Sequence, residues 1–134
     1  MPIIEGTTVL KSAVGEYDFA VDGGAIGSIT LRGSGPLGSQ LPAGSVITGG
    51  YLEVDTLFTT GTSATMAITV EGAGDIIAAT IVSGAPYSTT GRKSIIPAGT
   101  GATSVKTTVV RNIVATIATG TVTAGKARVV LFYR

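Results

Sequence analysis

Glu53 and Asp55 are the side chains with the most direct chemical reading, because alternate residues of an extended strand share a face and would set these two carboxylates side by side. Joined by Glu71 on an adjoining strand, they would offer oxygen ligands to Ca²⁺, which takes about six to eight of them, or form a glycosidase-type pair. The plainer reading, and the one preferred, is the solvated face of a half-buried strand. No EF-hand spacing of the Asp-Xaa-Asp-Gly kind accompanies the pair, and Glu16, Asp18 and Asp22 are read the same way. Gly91-Arg92-Lys93-Ser94 ends like a phosphate loop, but Arg92 interrupts the pattern and no upstream glycine is correctly spaced. It reads as a basic loop edge suited to an adhesive contact. Gly23-Gly24-Ala25-Ile26-Gly27 and Gly72-Ala73-Gly74 lack a following helix and read as turns. Tyr87, beside Pro86, is either a ring on which a sugar could stack or the anchor of its own loop.

What is missing narrows the chemistry further. The 134 residues include no Cys, no His and no Trp. The side chains most used for acid–base, nucleophilic and transition-metal work near neutral pH are therefore gone. A disulfide framework and a structural zinc site are excluded with them. The chain is expected to be non-enzymatic and to need no cofactor.

The elements that must position these residues are strands. Period-2 alternation recurs, and no stretch shows a sustained apolar face at helical spacing. In Tyr51–Phe58, Leu52, Val54, Thr56 and Phe58 share one face and Tyr51, Glu53, Asp55 and Leu57 the other; in Thr65–Glu71, Met66, Ile68 and Val70 point inward. Thr59–Ser63 between them reads as a hairpin connection. Further strands are expected at Thr7–Ala13, Tyr17–Val21, Ile26–Arg32, Ile76–Val82, Lys93–Ile96, Val105–Arg111, Ile113–Ala118 and Lys126–Tyr133. Loops are expected at Gly33–Gln40, Ser83–Gly91 and Gly99–Ser104. The pattern predicts one all-β domain over 1–134, an antiparallel β-sandwich with a short N-terminal arm. Nothing resembles a secretion signal or a membrane span of roughly 20 apolar residues, so a soluble product without membrane contact is expected.

An echo supports two comparable halves and a jelly roll of about eight strands. Leu41-Pro42-Ala43-Gly44 returns as Ile96-Pro97-Ala98-Gly99, with Thr123-Ala124-Gly125-Lys126 as a weaker third copy. Proline fixes φ and glycine accepts positive φ, so each copy can start a strand from a tight corner.

The net charge of +1 hides an uneven distribution. All eight acids lie in residues 1–75 beside only Lys11 and Arg32, whereas 76–134 carries seven bases and no acid. Either strands of the two halves pair and the charges meet across a sheet, or opposite faces attract neighbouring copies. Nucleic-acid binding is not expected, since the bases are scattered with few aromatics among them. In the last strand Ala127, Val129, Leu131 and Tyr133 occupy one face and Arg128, Val130, Phe132 and Arg134 the other. Apolar groups on both sides mean either a central strand or a face covered by another copy. Ile113–Ala118 shows the same two-sidedness.

The stretch Leu41-Pro42-Ala43-Gly44-Ser45-Val46-Ile47-Thr48-Gly49-Gly50-Tyr51-Leu52-Glu53-Val54-Asp55-Thr56-Leu57-Phe58, with the strand Ala64–Val70 after it, resembles small structural proteins of the tailed-phage virion. The corner Val122-Thr123-Ala124-Gly125-Lys126, leading into a strand ending in Tyr133, is similar too. These are head decoration, or cement, proteins and related head-fibre or tail-associated sandwich modules. The resemblance implies a homotrimer on the outer surface of the capsid that binds the major capsid protein and stabilises the shell. The alternative is a receptor- or carbohydrate-binding adhesion module. The family supplies no residue motif for shell contact, so position and charge assign it: Pro2, Ile3, Ile4 and Glu5 of the arm, with Arg92 and Lys93. Ile113, Val130 and Phe132 are assigned to a subunit interface.

Overall fold

The computed structural model describes residues 11–33 and 38–134. Its strands are β1 (Lys11–Asp18), β2 (Gly27–Thr30), β3 (Gln40–Leu41), β4 (Val46–Thr60), β5 (Thr65–Thr69) and β6 (Ile77–Ile81), followed by β7 (Gly91–Lys93), β8 (Val105–Lys106), β9 (Arg111–Asn112), β10 (Val114–Ala118) and β11 (Val122–Tyr133). One helical turn, α1 (Phe19–Asp22), follows β1. Sheet A runs β1-β11-β4-β7, with β8 also on β4; sheet B runs β2-β10-β5-β6; β3 and β9 form a two-stranded ladder. Every pairing among them is antiparallel.

Eight of these strands have three residues or more, four in each sheet, and their pairing is nested. The first of the eight pairs with the last, the second with the seventh, the third with the sixth and the fourth with the fifth. The chain is thus one long antiparallel ribbon bent back on itself, and each sheet takes strands from both ends of the sequence. That arrangement brings the acidic first half against the basic second half.

Alternation supplies the core. Ala13 and Tyr17 of β1, Leu52, Val54 and Phe58 of β4, and Val129 and Leu131 of β11 face Met66, Ile68, Ala115 and Ile117 across the sandwich, all buried. Tyr17 stacks on Phe58 with centroids 5.5 Å apart, and Tyr87 tilts against Phe58 at 5.3 Å. Each large apolar side chain buried in this way stabilises the fold by about 1.5–3 kcal/mol.

Several expectations need correction. Tyr17–Val21 is not a strand of its own: Tyr17 and Asp18 end β1, Asp18 caps α1 by accepting from the Ala20 N–H at 3.0 Å, and Gly23 at φ 76° ends the turn. Thr59–Ser63 is not a hairpin within one sheet, because β4 and β5 belong to different sheets. The Thr60 hydroxyl accepts from the N–H groups of Thr62 and Ala64 and turns the chain across the sandwich. Val105–Arg111 is broken into β8 and β9, since Thr107 turns inward and its hydroxyl bonds the Ser45 N–H and the Pro42 carbonyl. Thr56 is exposed rather than inward, because Asp55 is an extra residue opposite Lys126–Ala127, a β-bulge. Gly44 and Gly99 of the echoed corners do take positive φ, 81° and 86°. The third copy is no corner: Gly125 lies inside β11, where the register shifts.

Candidate functional site

The outer face of sheet A collects the chemistry. Register puts Glu16 opposite Arg128, Arg128 opposite Glu53, and Glu53 opposite Arg92, while Arg32 bridges to Glu16 beyond β1. The result is a row of alternating charge, Arg32–Glu16–Arg128–Glu53–Arg92, running across the sheet. Arg128 bonds Glu53 at 3.1 Å, Arg92 approaches its other oxygen at 4.0 Å, and Arg32 reaches Glu16 at 4.0 Å. A neighbouring row pairs Asp18 with Lys126, with Asp55 lining the same shallow depression. Of the two readings of the charge asymmetry, pairing across the sheet is the one the structure bears out.

Beside the charged row lies a groove of about 360 Å³. Val14 and Val130 form its buried floor, and Tyr51, Phe132, Arg92 and Ser12 stand around it. Tyr51 meets Phe132 edge-on at 6.3 Å, and the Arg92 guanidinium carbon stands 4.4 Å above the Tyr51 ring. Arg92 keeps 66% of its side chain exposed, so its charge remains open to a partner while its direction is fixed. An aromatic pair, an oriented arginine and an apolar floor are the residue types that dominate protein–protein contacts.

Residues assigned separately from the sequence converge here. Arg92, assigned to shell contact, and Val130 and Phe132, assigned to a subunit interface, line the same groove. Lys93 is held away from it, its ammonium donating to the Thr90 carbonyl at 3.2 Å and to the Thr89 hydroxyl. Ile113 is fully buried between the sheets, so it belongs to this chain's own core and not to any surface. Pro2, Ile3, Ile4 and Glu5 lie outside the described residues. Tyr87 is wholly buried, its hydroxyl donating to the Met66 carbonyl at 3.1 Å, which makes it a loop anchor rather than a sugar platform. Burial pushes that hydroxyl well above the ordinary tyrosine range.

The carboxylates do not gather. Glu71 follows β5 at the end of sheet B, away from Glu53 and Asp55 on sheet A, and it grips the turn between β8 and β9. Its oxygens accept from Arg111 Nε at 2.8 Å, the Thr108 hydroxyl at 2.8 Å and the Thr108 N–H at 3.1 Å. Those partners, Arg111 first, pull its carboxyl down to about 2. For Asp22, burial alone would raise the carboxyl, but the Arg32 guanidinium at 3.0 Å and the Asp18 N–H outweigh it and leave it below the usual range. Among the described residues no group of three or more Asp or Glu is placed to hold a metal ion. The Glu71 clamp, the Arg92–Tyr51 contact and α1 went unread in the sequence. Only the Asp18-x-x-x-Asp22 spacing ahead of Gly23-Gly24 carried a signal for any of them.

No protein-family model and no curated protein sequence matches the chain. Two solved structures share its fold. One is a chain of the acid-stable capsid structure of Helicobacter pylori bacteriophage KHP30, with a TM-score of 0.61 and 14% identity over 93% of this chain and 86% of that one. The other is a chain of the capsid asymmetric unit of cyanophage Pam1, with a TM-score of 0.61 and 22% identity over 92% of this chain and 83% of that one.

Proposed function

We propose that this chain is a non-enzymatic structural protein of a phage virion, a decoration or cement protein that sits on the outer surface of the capsid, binds the major capsid protein and stabilises the shell. The observation that carries the reading is the fold, shared over most of its length with chains of two phage capsid structures. The nested pairing of eight strands supports the jelly-roll form of the sandwich. The outer face of sheet A is the contact surface: Tyr51 and Phe132 supply apolar area, and Arg92 supplies charge for an acidic group on the shell, with Lys93, outside the groove, as a separate basic contact. Residues 2–5 add a second contact, and the protein acts as a homotrimer.

Capsids of the encoding phage assembled without this protein provide the test. Added protein is expected to bind them at a fixed stoichiometry and to raise the temperature at which the shells dissociate. Binding to host cells or glycans, with no effect on shells, would replace this reading with the adhesion module.

A further inference from the structure

Among the described residues, sheet B has two edges of matching uncharged chemistry, whereas sheet A is closed at one edge and short and charged at the other. The outer side of β1 is closed, since the Val14 N–H donates to the Gly38 carbonyl at 3.0 Å and Glu16 and Arg32 exchange backbone bonds of 2.7 and 3.3 Å. The other side of sheet A ends in the three residues of β7, two of which are Arg92 and Lys93. In sheet B, β2 (Gly-Ser-Ile-Thr) and β6 (Ile-Ala-Ala-Thr-Ile) carry no charge and no proline, and the sequence is uncharged from Ile76 to Gly91. Edge strands left open are normally guarded by charge, proline or a covering segment. Within the described residues, neither strand carries such a guard in its own sequence, and β6 is covered only at its ends, where the Ile96 N–H donates to the Ile76 carbonyl at 2.8 Å and the Gly84 N–H to the Ile81 carbonyl at 3.1 Å.

We propose that copies of this chain join edge to edge through sheet B, with β2 of one copy laid antiparallel against β6 of the next. This deepens the reading of the chain as a self-associating virion component and rests on it. Four observations fit the joint. A groove of about 390 Å³ runs along β6, lined among others by Ile77, Thr80, Pro86 and Ile96. Ile26, immediately before β2, is 61% exposed, and Ile81 at the matching end of β6 is 42% exposed. A sheet of four antiparallel strands has outer strands of opposite direction. A rotation about an axis along the strands therefore brings β2 of the next copy antiparallel to β6 and closes a ring instead of a twofold pair.

The fourth observation is the register. Val82 donates to Ala64 and Met66 lies opposite Thr80, so Ala79 and the Ile81 N–H turn their main-chain groups to the open side. Leu31 donates to Ile113 and Ile29 lies opposite Ala115, so Ser28 and Thr30 do the same on β2. Placing Ser28 against Ala79 puts Ile26 against Ile81. It also keeps side chains on the correct side, since Ser28 and Ala79 both neighbour Thr116 on the outer face.

Because the chain has no cysteine, S28C and A79C can be introduced singly and together. Within one copy the two positions are separated by three strand spacings, about 14 Å, too far for a disulfide. On oxidation of the full-length protein the double variant is expected to form covalent multimers while each single variant stays uncrosslinked. Crosslinked dimers of either single variant, or no multimers of the double variant, would overturn the joint. Ala79→Lys, at an exposed position, is expected to lower the light-scattering mass to that of a monomer with an unchanged melting temperature. An unchanged mass would also overturn it, while shell binding measured on the same sample reports separately on the virion role.

Discussion

The Arg92 guanidinium stands 4.4 Å above the Tyr51 ring, and Tyr51 in turn meets Phe132 edge-on at 6.3 Å. The three residues come from β7, β4 and β11, so the contact exists only because the nested ribbon sets those strands side by side. A long, flexible side chain is thereby oriented before any partner arrives, and less conformational entropy remains to be lost on binding.

Arg92→Ala is expected to weaken binding to the capsid shell by about tenfold or more, as truncation of a central arginine anchor does. The isolated protein should lose only about 0.5–1 kcal/mol, the scale of an exposed cation–π contact. Binding isotherms on shells, set beside thermal melts, separate the two effects. An equal loss in both would mean that Arg92 serves the fold alone.

Glu53 is the hinge of the charged row, lying between Arg128 at 3.1 Å and Arg92 at 4.0 Å. Glu53→Gln removes the negative charge that separates two arginines on neighbouring strands. A destabilisation of about 1 kcal/mol is expected, because the pairs are partly exposed and water screens them. The deficit should shrink when melts are repeated in high salt, where the remaining arginine–arginine repulsion is damped.

Much of the scaffold is legible from local pattern. Leu52, Val54, Met66 and Ile68 alternate as strands buried on one face do, and they fill the core. The signal fails where a distant partner decides the outcome. Thr107 ends a strand because its hydroxyl reaches Pro42, and the Tyr17–Val21 strand gives way to α1 because Asp18 caps the turn and Asp22 pairs with Arg32. Ile113 is apolar on a two-sided strand, and only the sheet order reveals that its side chain faces inward. Of the site, Val130, Phe132 and Arg92 could be named singly from the sequence. Their meeting in one groove depended on register between strands about 40 residues apart for β4 and β7 and about 80 apart for β4 and β11, which no local spacing encodes.

Gly50 marks a close approach of two strands within sheet A. It sits in β4 at φ 145°, and a Cβ there would come within 2.0 Å of the Val130 carbonyl oxygen on β11. Both the backbone conformation and the space exclude a side chain. Gly50→Ala is expected to cost about 3 kcal/mol, in the range of overpacked cores. It should also displace Val130 from the groove floor, so chemical denaturation and shell binding would fall together. Gly49→Ala, with nothing within 4 Å of its added Cβ, is the control and should leave both nearly unchanged.

Glu71 gives the fold a defined response to acid. Its carboxyl is held near 2 against an ordinary value of 4.5, chiefly by Arg111 and then by Thr108. A depressed folded value means that ionised Glu71 favours the native state. That contribution is complete above the ordinary value and is lost as pH falls from about 4.5 through about 2. Glu71→Gln keeps the shape but removes the charge that grips Arg111, so the turn carrying Val109 and Val110 loses its tether. The variant is expected to melt below the parent at pH 7 by a few degrees and to converge on it as pH approaches 2. A gap that persists unchanged at pH 2 would mean that hydrogen bonding by the side chain, and not its ionisation, holds the turn.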